Sequence, residues 1–408
     1  MPTTTPDFDA VRAEFGLPGG FPAEVLAEAE RVAVPPVPGP DRIDATDVEL
    51  VTIDPPGSKD LDQALGVQRR GSGFRVHYAI ADVAAFVRPG GAVDEEAHRR
   101  GETLYGLDSK VPLHPPRISE EACSLLPDGP RPALLWSIDL DESGERTAVR
   151  LERAVVRSRA KLSYAGVQAE LDRTTADPVL QLLRQVGELR LARERDRGGV
   201  SLPLPDQEVS RVDGRWELDY RRPLPVEGWN AQISLLTGMA AASLMLDGGV
   251  GVLRTVPPPD PRDVRRLRRV AAALGVGWPE EEPYPELVRR LDATQPAHAA
   301  LLNEATALLR GSAYVAFDGA APEQPLHSAI AASYSHVTAP LRRLVDRYAL
   351  ECCVALCAGQ AVPAWVTETR PATAASSTTR PTAARPTPTS RPGSRTGPTI
   401  SSAVTTPA

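Results

Sequence analysis

Thr52-Ile53-Asp54-Pro55-Pro56-Gly57-Ser58-Lys59-Asp60-Leu61-Asp62-Gln63-Ala64-Leu65 is the most informative stretch of the chain. Before it, Val48, Leu50 and Thr52 alternate with Glu49, Val51 and Ile53, a period of two that predicts a strand ending at Asp54. A Pro-Pro-Gly turn then reverses the backbone, and Asp60 and Asp62 return two residues apart, so that both can point to one side. Three carboxylates gathered in this way repel one another unless a cation sits among them. Hard oxygen ligands suit Mg2+ or Mn2+, ions that assist phosphoryl chemistry. An acidic surface turn has the same spacing. An EF-hand does not fit, because the loop lacks its central glycine and its terminal bidentate glutamate.

Outward from this loop, a second strand is predicted over 74–82, with Val76, Tyr78 and Ile80 on one face and Arg75 and His77 on the other. Residues 134–151 read as a hairpin about Gly144, and 155–162 as a further strand. Helical spacing follows at 177–195, 230–246, 261–274, 286–292, 297–310 and 341–358. Strands first and helices afterwards argue for an α+β fold, not alternating βαβ units. Residues 1–44 form a short helical leader with a proline-rich linker, too short for a separate OB-type barrel. From 363 to 408 the chain is rich in Thr, Pro, Arg and Ala and has no apolar period, which predicts disorder or the product of a shifted reading frame.

The 408 residues carry a formal net charge of −7, with 42% apolar and 24% charged residues. Only three of the 46 basic residues are lysines: Lys59, Lys110 and Lys161. Residues 366–408 hold +4 of the charge, leaving −11 on the remainder, which at first sight disfavours a nucleic-acid partner. Four cysteines without paired spacing fit a reducing compartment and exclude a small disulfide-stapled module. No stretch approaches the roughly 20 apolar residues of a membrane span, and the N-terminus lacks the basic start and apolar run of a secretory signal. A cytoplasmic location is expected, with no membrane partner and no obligate protein partner evident.

The acidic loop resembles the signature of the ribonuclease II family, the RNB catalytic domain of 3′-to-5′ exoribonucleases. The likeness continues in order through His77-Tyr78-Ala79-Ile80-Ala81-Asp82-Val83, Val93 to Gly101 with Tyr105, Pro112 to Ser119 with Cys123-Ser124-Leu125, Ser158 to Tyr164, and Tyr334 to Arg343 with Asp346. It covers roughly residues 45 to 360. The resemblance implies a mixed or antiparallel sheet surrounded by helices that enclose an RNA channel, with the catalytic domain over 45–362. It also implies magnesium, or manganese, held by Asp54, Asp60 and Asp62 at the scissile phosphate of single-stranded RNA, and release of nucleoside 5′-monophosphates. Arg342 matches the arginine that steadies charge on the phosphate, Tyr105 the aromatic that stacks on the 3′-terminal base, and Tyr164 a tyrosine of the RNA path.

Bland readings stand beside these. Arg342 could pair with Asp346 one helical turn on, Arg343 serves either such a pair or RNA backbone, and both tyrosines could be core residues. His336 is either a substrate contact or a structural histidine. Arg262, Arg265, Arg266, Arg268 and Arg269 read as a solvated basic face, and Cys352, Cys353 and Cys357 as buried thiols. The fourth acidic position of the family is Gln63 here, which brings no negative charge. An alternative to the exoribonuclease is therefore an RNA-binding protein with weakened or lost chemistry; a phosphohydrolase of small nucleotides is a third. The resemblance places OB-type cold-shock and S1 barrels around such a domain. With neither recognisable in this sequence, weak RNA binding and low processivity are expected.

Overall fold

The computed structural model describes residues 8–32, 41–106, 109–127, 129–212 and 215–368. The proline-rich linker over 33–40 and the tail from 369 onward lie outside the described residues, whereas the start of the segment expected to be disordered, 363–368, is ordered, with Val366 buried in the main core and Trp365 packed against it. Two short helices, α1 (Phe8–Glu14) and α2 (Ala23–Glu30), precede strands β1 (Ile43–Ile53), β2 (Gln63–Arg70) and β3 (Gly73–Ala81). Helix α3 (Ala92–Arg100) leads to the short strands β4 (Leu104–Tyr105) and β5 (Lys110–Val111), and then to the long pair β6 (Arg131–Leu140) and β7 (Arg146–Leu162). The second half comprises α4 (Tyr164–Asp172), α5 (Pro178–Asp196), the hairpin β8 (Asp206–Val212) and β9 (Arg215–Arg221), α6 (Pro225–Asp247), β10 (Val250–Thr255), α7 (Pro261–Ala273), α8 (Tyr284–Arg290), α9 (Pro296–Ala305), β11 (Ala313–Asp318) and α10 (Leu344–Cys357).

The α+β expectation holds, and the sheet goes further by closing into a barrel in the order β1-β2-β3-β6-β7. Neighbours are antiparallel except β1 and β7, which run parallel. Strand β2 is absent from the sequence reading. Its apolar residues Leu65 and Val67 lie close behind the acidic loop, and its outer end, Gln68-Arg69-Arg70, is polar. Residues 146–162, read as a hairpin arm and a separate strand, form one strand of 17 residues. Its first part pairs with β6 and its second with β1, so one strand closes the barrel.

Alternation along β3 divides the interior. Tyr78 and Ile80 pack with Trp136, Leu65 and the helices, whereas Ala79 and Ala81 join Leu50, Ala133 and Ala154 in a second cluster. Helix α6 is apolar on nearly every face and is correspondingly buried, with α5 and α10 against it. Two glycines allow its close contacts. A Cβ at Gly187 of α5 would lie 2.4 Å from Trp229 Cβ, and one at Gly238 would lie 2.1 Å from Tyr334 Cε2. The second contact matters for the site, because it seats the segment leading to Arg342 on α6. Helices α7, α8 and α9 share a smaller core of their own around Leu267, Leu287 and Leu301.

The expected helix over 341–358 begins later, at Leu344, so Arg342 and Arg343 precede it. Helix α10 is pinned to α3 by Arg347, which is 2% exposed, donates to the Asp94 carboxylate and gives a second hydrogen bond of 2.8 Å to the Val87 carbonyl. Removing one partner of a buried pair strands the other charge away from water. Asp94→Ala should therefore lower the unfolding free energy by about 3–5 kcal/mol in urea titration, and pairing it with Arg347→Met should recover most of the loss. A loss below about 1 kcal/mol would show that α10 is held by apolar contact alone.

Candidate active site

The acidic loop is clamped along its length. The Asp54 N–H donates to the Leu162 carbonyl at 3.0 Å, joining the ends of the parallel strands β1 and β7. Gly57, at φ +87, makes the reversal, and the Lys161 ammonium donates to the Ser58 carbonyl. Leu61 is buried; its N–H donates to Ser124 Oγ at 2.9 Å, and its carbonyl accepts from the Leu125 N–H at 3.0 Å. Ser124 Oγ donates in turn to the Lys59 carbonyl. The Asp62 carbonyl receives the Ala81 N–H at 2.9 Å.

Asp62 is only 6% exposed. Its carboxylate accepts the Leu341 N–H at 2.8 Å, and the Arg342 Nε lies 3.7 Å away. Burial pushes the Asp62 carboxyl up to about 7, against the pull of Arg342 and the Leu341 N–H. Burial also raises Asp54, to about 6; Arg342 and Lys161 oppose the rise, and the charge of Asp60 adds to it. Asp60 itself is engaged by Lys110, at 3.1 Å, and the same ammonium reaches Glu120 at 3.0 Å. The three aspartates lie in one neighbourhood, since the charge of Asp60 reaches Asp54, but among the described residues no group of three or more His, Cys, Asp or Glu side chains is close enough to hold a metal ion. Lys110 answers Asp60 and Arg342 approaches Asp62, while Asp54 feels the charges of Arg342, Lys161 and Asp60.

Arg342 is not on a helix and does not pair with Asp346. Arg343 does, through Nε at 2.8 Å and a second nitrogen at 2.9 Å, so of the two roles open to Arg343 the structure realises the ion pair. The Arg342 carbonyl accepts the Thr103 N–H at 2.9 Å. Two residues beyond Thr103, Tyr105 is 63% exposed and stands opposite Lys110 in the β4–β5 pair. Its ring is thus available beside the acidic loop. Tyr164 begins α4, and its hydroxyl accepts from Asn230 Nδ2 at 3.1 Å. Burial, with the nearby charge of Asp54, pushes that hydroxyl up to about 12. His336 is spent on structure: Nδ1 meets the Tyr314 hydroxyl at 2.6 Å, and burial holds the imidazole well below the usual histidine range. Cys352 and Cys353 are buried thiols outside any disulfide, as expected, whereas Cys357, expected to be buried with them, is partly exposed.

Sequence reasoning missed Lys110, Lys161, Ser124 and Asn230 as members of this site. One signal was present for the lysines. In a chain that spells its positive charge almost entirely as arginine, two of the three lysines serve this loop.

The RNB domain profile matches residues 42–355. The chain belongs to the RNB domain family. Among curated relatives of this RNB protein, Ribonuclease R of Escherichia coli (strain K12) is 29% identical over 330 residues, covering 75% of this chain and 39% of that protein. Ribonuclease R of Aquifex aeolicus is 27% identical over 365 residues, covering 83% and 50% respectively. The chain thus spans half or less of the length of these relatives. The RNB fold is shared with Mycoplasma genitalium RNase R, solved in complex with ribose methylated single-stranded RNA, at a TM-score of 0.77 and 20% identity over 90% of this chain and 62% of that one. It is shared too with yeast Ssd1, a pseudonuclease, at a TM-score of 0.67 and 16% identity over 84% of this chain and 44% of that one.

Two carboxyls raised toward neutrality, with Arg342 and Lys161 only partly offsetting their burial, fit a hard divalent cation. Mg2+ needs no closed protein cage; one or two carboxylates suffice when waters and a phosphate complete its shell. Asp54 and Asp62 are the candidates this RNB domain presents for that role. Their folded values exceed those of an unfolded chain, so the protons they hold stabilise the protein fully below about pH 4, and that contribution is lost as pH rises through 6 and 7. A cation replaces those protons only where they have left. Excess Mg2+ should raise the melting temperature at pH 8 and not at pH 5, and the double variant Asp54→Asn, Asp62→Asn should show no rise at either. An equal rise at both pH values, or one that survives in the double variant, would place the cation elsewhere.

Proposed function

We propose that the protein is a hydrolytic, divalent-metal-dependent 3′-to-5′ exoribonuclease that releases nucleoside 5′-monophosphates from single-stranded RNA. The observation that carries this is the approach of Arg342 to Asp62 at 3.7 Å, beside a second, half-buried carboxyl, Asp54. An anion-binding cation next to two under-neutralised acids is what a phosphodiester and a metal ion need together. When bound, the metal supplies neutralisation of the phosphate and a more acidic water. Asp54 and Asp62 would hold it. Arg342 meets the phosphoryl oxygens with a planar fork that stays charged throughout in-line attack. Tyr105 offers a stacking face that accepts any base. The Tyr164 hydroxyl already accepts from Asn230, which leaves its own proton to donate toward a ribose 2′-oxygen.

One observation favours a second reading, an RNA-binding protein without hydrolysis: Gln63 stands where the family resemblance implies a fourth aspartate. The two separate on 5′-labelled single-stranded RNA. The exoribonuclease shortens it stepwise in Mg2+ or Mn2+, whereas the binder retains it intact. Asp62→Asn should abolish shortening, and shortening that persists would remove Asp62 from the chemistry. Arg342→Ala should lower kcat about 10²–10³-fold, the typical loss of one charge-stabilising donor. Tyr105→Ala should act mainly on KM, by about 5- to 100-fold, as expected for one lost stacking contact. Equal effects of the two variants on kcat and KM would contradict this division of roles.

A further inference from the structure

We infer that Gln63 is a positioning residue for Arg342 rather than a weakened metal ligand, an inference that rests on the exoribonuclease assignment above. Gln63 opens β2, where pairing with Ile80 fixes its backbone. Its side-chain amide nitrogen donates to the Thr338 carbonyl, 275 residues further along the chain. Only the nitrogen end of the amide can face a carbonyl oxygen, since the other end would set two acceptors against each other. Thr338 and its neighbours Val337 and Ala339 are all buried, so water does not readily replace this donor.

Thr338 starts the turn that presents Arg342. Within that turn the Arg342 and Arg343 N–H groups both donate to the Ala339 carbonyl, at 3.2 and 3.0 Å. The Ala339 N–H is taken by Asp346 at 2.6 Å and the Leu341 N–H by Asp62 at 2.8 Å. Two consecutive residues of one strand end, Asp62 and Gln63, therefore grip the same turn at Leu341 and at Thr338, and Arg342 follows directly. An aspartate at 63 would be one methylene shorter and, ionised, would have no proton to give. It would lose the bond and turn a charged acceptor toward a carbonyl. Restoring the family residue should therefore loosen the turn.

The test uses the full chain with Gln63→Glu, nearly isosteric but without the donor, and Gln63→Asp. Each should lower kcat about 5- to 100-fold, the range for a lost buried hydrogen bond, with KM changed less than about twofold and the Mg2+ midpoint unmoved. In an Arg342→Ala background, Gln63→Glu should cost nothing further, because its effect passes through the arginine. Hydrogen exchange at the Leu341 and Arg342 amides should be faster in Gln63→Glu than in the parent. A gain in kcat or a lower Mg2+ midpoint in Gln63→Asp, full additivity with Arg342→Ala, or unchanged exchange at these amides would each overturn the inference. Absence of RNA shortening by the parent protein would instead overturn the exoribonuclease assignment, and the exchange measurement would still decide whether Gln63 holds the turn.

Discussion

A carboxylate taken out of water has to be answered by something, and at Asp62 the answer comes from a segment 279 residues away in sequence. The Leu341 N–H and the Arg342 guanidinium converge on it from the turn before α10. Much of the fold serves to make that meeting possible. Closure of the barrel brings the end of β1 to the end of β7 and so fixes the acidic loop. Gly238 lets the 334–343 segment lie directly on α6, and Arg347 ties α10 to α3 so that the turn cannot drift along the helix axis.

Charge is distributed by the same logic. The described part of the chain is acidic overall, yet the positive groups that count are local. Lys110 holds Asp60, Lys161 holds the loop backbone, and Arg342 stands against Asp62. Net charge speaks to long-range attraction and says little about a site where Lys110 meets Asp60 at 3.1 Å and Arg342 meets Asp62 at 3.7 Å. An acidic protein can therefore carry a phosphate-binding site. What it forgoes is the long-range field that would draw a polyanion in from solution.

The α+β class, most helices and the acidic loop were legible because each rests on local pattern: period two, period 3.6, or an ordered run of motifs. Strand β2 was not, because it follows the loop so closely that its apolar residues were absorbed into the motif. Barrel closure was not legible either, since nothing in 146–162 says that one half pairs with β6 and the other with β1. At the site, residue types were readable and allegiances were not. Spacing put Asp60 with Asp54 and Asp62, yet Lys110, across a β-pair from Tyr105, claims it. Spacing also offered Arg342 to Asp346, but the late start of α10 gives that carboxylate to Arg343.

The parallel closure of β1 on β7 carries one further consequence, for the order in which the molecule assembles. Antiparallel neighbours such as β2 and β3 meet across a short turn, but β1 must wait for residues some hundred positions later, and Asp62 must wait for Leu341. Contacts of such span cost the most chain entropy to form and are slow to be made. A chain caught partway therefore holds its strands and its acidic loop without the guanidinium that answers Asp62, a folded core in which the two halves of the site have not yet met.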